Sequence, residues 1–130
     1  MSEDGPVRYV VRVLPRAVED IQAQQVRLAE LAGPDIARVW REGLLRKAGT
    51  LSENPRRCAR IPEQARFRYE TRHLLYRRAP DGPTWRILFT ITGEEERSPD
   101  PPTINLLHVR HEAQRPITQT EARAMEAQEE

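Results

Sequence analysis

The sequence predicts an α+β domain in which a first strand and a hairpin of two helices pack on a small curved antiparallel sheet. Three observations carry this. Val7 to Leu14 alternates apolar and polar residues at period two, the spacing of a half-buried strand. The next forty residues hold two apolar stripes at three- and four-residue steps, split by Gly33-Pro34. Beyond residue 65, three strand-like runs are separated by turn chemistry.

In the first run Val7, Tyr9, Val11 and Val13 share one side, with Arg8 and Arg12 on the other. Pro15 ends it, because proline lacks the N–H a ladder needs and suits the first turn of a helix. The first helix presents Val18, Ile21, Gln25, Leu28 and Ala32 on one stripe. The second presents Ile36, Val39, Trp40, Leu44, Leu45 and Ala48, with Asp35 able to cap it. Two periodic helices joined by a two-residue break make an αα-hairpin over residues 16–52, with Trp40 read as core.

Asn54 to Gln64 lacks periodicity and is expected to be a surface loop. Ala65 to Arg78 alternates Phe67, Tyr69 and Thr71 against Arg66, Arg68, Glu70 and Arg72, which predicts a strand. Ala79-Pro80-Asp81-Gly82-Pro83 supplies a turn. Trp85 to Thr92 and Thr103 to His111 complete a meander over 65–111, joined by an acidic, proline-rich tip from Gly93 to Pro102. The tail, 117–130, has little apolar surface; at most it forms a short helix that frays past Ala127. No repeat or linker divides the chain, so residues 1–130 are expected to form one domain.

Composition narrows the function. The polar start, Met1 to Pro6, does not read as a signal peptide, and no apolar run approaches the roughly 18 residues of a membrane span, so the cytoplasm is the expected location. One cysteine, Cys58, excludes an internal disulfide and a cysteine metal cluster. His108 and His111, three apart on a strand, project to opposite faces, so no shared metal is expected. No glycine-rich phosphate loop is present, and no cofactor is expected.

Charge is uneven. From Pro55 to Thr92, nine arginines face only Glu63, Glu70 and Asp81, a local excess of 9 − 3 = +6, while four glutamates from Glu121 onward oppose Arg123 alone. The basic middle implies an anionic partner. Arg56, Arg57, Arg60, Arg110 and Arg115 are the candidate RNA- or phosphate-binding residues. Arg72, Arg86 and His111 lie on three successive strands. On one concave face they would set two guanidinium forks beside a group that titrates near neutrality. Each arginine alone equally fits a surface residue paired with an acid.

The order RxLPRAVEDI, LSENP, ETRHLLYRR, WRILFTI and INLLHVRHEAQRP resembles the RelE/ParE toxin superfamily over about Arg8 to Pro116. The resemblance implies a type II toxin, associated with plasmid stabilisation, and an acidic antitoxin that wraps it. It also implies one of two targets. RelE-like members cut ribosome-bound mRNA without metal; ParE-like members poison DNA gyrase. On the first reading, the leading one, the ribose 2′-OH attacks the adjacent phosphate. Arg72 and Arg86 then stabilise the phosphoryl charge, His111 serves as acid or base, and Glu70 is a possible base. Phe89 stands where many relatives carry tyrosine, and the lysine pair of some ribosome-dependent members is absent. The alternative is gyrase inhibition by protein–protein binding.

Overall fold

The computed structural model describes residues 7–129; the acidic start, Met1 to Pro6, and the final Glu130 lie outside them. Strand β1, Val10–Val13, runs directly into helix α1, Pro15–Ala32, with Pro15 at the start of the helix where no N–H is needed. Gly33, at φ +96°, makes the break that only glycine adopts without strain. Helix α2, Pro34–Gly49, then returns antiparallel to α1, with Asp35 in its first turn and Arg46 and Lys47 in its last, as the helix dipole favours.

Strands β2 (Arg72–Arg77), β3 (Thr84–Thr92) and β4 (Thr103–His111) form the antiparallel meander. The sheet order is β1-β4-β3-β2. Strand β1 pairs with β4 in parallel, Val10 opposite Thr103 and Val13 opposite Leu106. The sheet is therefore mixed, where alternation alone implied a purely antiparallel one. A parallel pair needs a long connection, which the helical hairpin and the first two meander strands supply, and β1 takes the edge position beside β4.

One face of the sheet carries Trp85, Ile87, Phe89, Leu74, Tyr76 and Val109 against Trp40, Leu44 and Ile21 of the hairpin. The other carries Leu88 and Leu107 against Ile61, Phe67 and Ile117. Helix α3, Gln119–Ala127, covers this second face through Ala122 and Met125, both 0% exposed. Burying each large side chain such as Leu44 or Ile87 contributes roughly 2 kcal/mol.

The tail thus differs from the expectation of little docking surface. Polar anchors add to these two apolar side chains: buried Glu126 accepts from the Arg68 and Tyr69 N–H groups, and Gln128 donates to the Leu107 carbonyl. The helix start is also capped, Thr118 accepting from the Glu121 N–H while the Glu121 side chain accepts from the Thr118 N–H. The start of the meander differs too. Residues 65–71 are not strand. Gln64–Arg66 form a 3₁₀ turn, and the Gln64 side chain bonds both the Tyr69 carbonyl and the Thr71 N–H, holding the chain off the sheet. Ile61 and Ala59 then pair with Thr71 and His73 on the outer edge of β2.

Candidate functional site

Antiparallel register decides which polar side chains meet. Arg86 stands opposite Leu75 on one side and Arg110 on the other, while Arg72 stands opposite Phe89 and His111 opposite Trp85. Arg86 therefore belongs to the α3 face, and Arg72 and His111 to the helical-hairpin face. The three do not share a concave face. Arg72 and His111 themselves sit at opposite ends of theirs, two strands apart and separated along β3 by about 13 Å, the span from Trp85 to Phe89.

On the α3 face, Arg86 is 6% exposed. Its Nη1 and Nη2 donate to Glu63 Oε2 and Oε1 at 3.0 and 2.8 Å, and its Nε donates to His73 Nδ1 at 3.0 Å. Glu63, 7% exposed, also accepts from the Ile117 N–H at 3.1 Å. Burial pushes the Glu63 carboxyl up, but the Arg86 and backbone hydrogen bonds outweigh it and hold the group at about 2. Burial and the Arg86 charge push His73 down, so its neutral ring accepts at Nδ1. Arg110, 2% exposed, donates to the Arg115 carbonyl, and burial lowers its pKa. Its Nε has no partner. The neighbouring His108 Nδ1 lies 2.6 Å from Asp20 of α1, which also accepts the edge N–H of Val109. Three of the five Arg86 N–H donors are thus engaged within the domain, and the Arg86–Glu63 pair borders a pocket lined also by Arg66, Glu112 and Gln114.

A second cluster lies where the 3₁₀ turn at Pro55–Arg57 meets the start of β2. Here the structure does gather predicted residues: Arg56, Arg60 and Arg72 all donate to Glu70. Arg72 Nη1 donates in addition to the Cys58 carbonyl. Arg56 also pairs with Glu94, which accepts from the Tyr9 hydroxyl at 2.7 Å. The Arg72 hydrogen bond, foremost among these, lowers the Glu70 pKa. A carboxylate so held is a poor base. Arg57 faces away, donating to the carbonyls of Thr50, Glu53 and Asn54 and so closing the end of the hairpin.

The remaining predicted residues stand apart. Arg115 is exposed and pairs with Glu121 at 2.8 Å. His111 packs edge-on to Trp85, ring centroids 5.1 Å apart, and its Nδ1 accepts from the Ala113 N–H. Cys58 is buried and its thiol is pushed up, first by burial. Sequence reasoning overlooked Glu63 and His73. Glu63 falls in a loop without periodicity, and its one signal is that it is among only three acids in the arginine-rich stretch. Among the described residues, no group of three or more His, Cys, Asp or Glu could hold a metal ion, and no helix is long and apolar enough to cross a membrane.

An αα-hairpin on a four-stranded mixed sheet, sealed below by a C-terminal helix, defines the class of fold. The same fold occurs in a chain of a solved structure described as the chromosomal ParDE TA system from P. aeruginosa. The TM-score is 0.58 at 17% identity, over 80% of this chain and 96% of that one. No protein-family model matches the sequence, and no curated protein does.

Proposed function

We propose that the chain is the toxin of a type II toxin–antitoxin module, held inactive by a cognate acidic antitoxin. We further propose that it acts by binding DNA gyrase rather than by cutting ribosome-bound mRNA. The fold shared with a chain of a ParDE system supports the first part. One observation carries the second. Arg86, which a nuclease would aim at the scissile phosphate, instead directs both Nη1 and Nη2 at the buried Glu63. Arg72 and His111 lie on the opposite face of the sheet. Charge stabilisation in phosphoryl transfer needs donors within about 3 Å of one oxyanion position, and these residues have no common position to serve.

The test is induced expression in a bacterial host, reading growth, message integrity by primer extension and plasmid supercoiling together. Growth arrest with intact messages and altered supercoiling is expected, and His111→Ala should leave the arrest in place. Cleavage of ribosome-bound messages that disappears in His111→Ala would overturn the reading in favour of the nuclease.

A further inference from the structure

A cavity of about 630 Å³ opens between the end of α1, the β2–β3 turn and the end of β4. Its size is that of small-molecule sites, which run from about 300 to 1,000 Å³. Trp40 and Trp85, core residues only 2% and 8% exposed, form its floor, edge to face with ring centroids 5.4 Å apart, and Leu28 and Leu31 supply the more open apolar side. Leu31 is 73% exposed.

The charged groups around this floor are all cationic, and the other polar side chains are the amides Gln24 and Gln114 and the His111 ring. Arg27 and Arg78 line the cavity from α1 and from the turn. Neither forms an ion pair among the described residues. His111 Nδ1 already accepts from the Ala113 N–H, which leaves Nε2 as the ring nitrogen without a recorded partner. The buried Trp40 indole N–H has no acceptor. No aspartate or glutamate lines the cavity. An aromatic floor flanked by cations, with no acid among them, lacks one thing: an acceptor that carries negative charge and a flat apolar body.

We infer that this cavity is a binding site for a small aromatic carboxylate. The ring packs against Trp40 and Trp85, and the carboxylate is gripped by Arg27 and Arg78. The site owes nothing to the toxin reading and stands or falls separately from it.

The chain has only two tryptophans, so their two indole N–H resonances in a ¹⁵N-labelled sample report on both rings at once. The probe is indole-3-acetate, with its uncharged isostere indole-3-acetamide beside it. Both resonances should shift saturably with the acetate, with a midpoint of roughly 10⁻⁵ to 10⁻³ M for a ligand of this size. The amide should bind at least tenfold more weakly. Arg27→Gln with Arg78→Gln should weaken the acetate about tenfold or more and leave the amide unchanged. Both arginines are exposed, so the doubly substituted protein keeps its fold, which the dispersion of the same spectrum checks. Unshifted indole resonances, equal binding of acid and amide, or undiminished binding after the arginine substitutions would each overturn the inference.

Discussion

Replacing Arg86 by methionine tests whether this arginine serves the fold or an external phosphate. The substitution keeps the volume of the side chain and removes its charge. Glu63, 7% exposed, would be left with an Ile117 N–H and no cation. Breaking a buried pair by deleting one partner costs about 3–5 kcal/mol, most of it from the stranded charge. The drop of the Glu63 carboxyl to about 2 is the net of the Arg86 and backbone hydrogen bonds against burial, so Arg86 is one of several groups that hold it charged. In a chain of this length each kcal/mol moves the midpoint by about 3–5 °C, so Arg86→Met should lower Tm by roughly 10–20 °C. Calorimetry or a circular dichroism melt reads this directly. The companion variant, Arg86→Met with Glu63→Leu, removes both charges and should recover at least half the loss, because an apolar pair of similar volume is often neutral to stability. A single variant melting within about 2 °C of the parent, or a double variant no more stable than the single, would refute the assignment.

Two further outcomes follow from the same geometry. Glu63 has a folded-state pKa below its ordinary value, so its contribution is fully present above about pH 4.5 and lost as pH falls towards 2. His73, also lowered, adds a loss of the same sign, beginning as pH drops below its ordinary range. Melts from pH 7 to 2 should show stability falling through both windows, and the lower one should flatten in the Glu63→Leu, Arg86→Met protein. Separately, Gly43 lies where α2 crosses β2, and a Cβ there would collide with the Tyr76 hydroxyl and lie 3.1 Å from Tyr76 Cζ. Gly43→Ala should therefore destabilise by about 1–3 kcal/mol although alanine is the better helix former. Adding Tyr76→Phe, which removes the colliding oxygen, should return part of the loss in a urea melt.

The hairpin and the meander were legible because their signals are local. Gly33-Pro34 splits two 3.6-residue stripes, and the turn at Ala79 to Pro83 separates two β-rich runs. What local pattern cannot supply is parity between strands. Arg72 and Arg86 lie on adjacent strands, but whether they share a face depends on which residue opposes which. With Leu75 opposite Arg86, they do not. A register shift between Leu88 and Phe89 alters the alternation again on the way to His108. The Glu63 partnership was hidden for a related reason: a 23-residue separation between a loop acid and a strand arginine leaves no periodic trace. The docking of α3 was missed because Ala122 and Met125 look meagre in a charged segment. Their burial depends on Ile117, Phe67 and Leu107 from elsewhere in the chain. Legible by contrast was the gathering of basic charge near residue 60, where Arg56, Arg60 and Arg72 do converge, though on the chain's own Glu70.

The parallel pairing of β1 with β4 bears on the order in which a newly made chain matures. Val10 is synthesised ahead of its partner Thr103, which follows 103 − 10 = 93 residues later. At about 5–20 residues per second, the first strand waits roughly 5–20 seconds for the strand it joins. During that interval the hairpin can form but has no finished sheet to lie on, so Trp40 and Leu44 stay without their partners. Helix α3 comes later still. The sheet is thus unfinished until β4 has been made, and any activity that needs the folded surface waits for that strand and for α3.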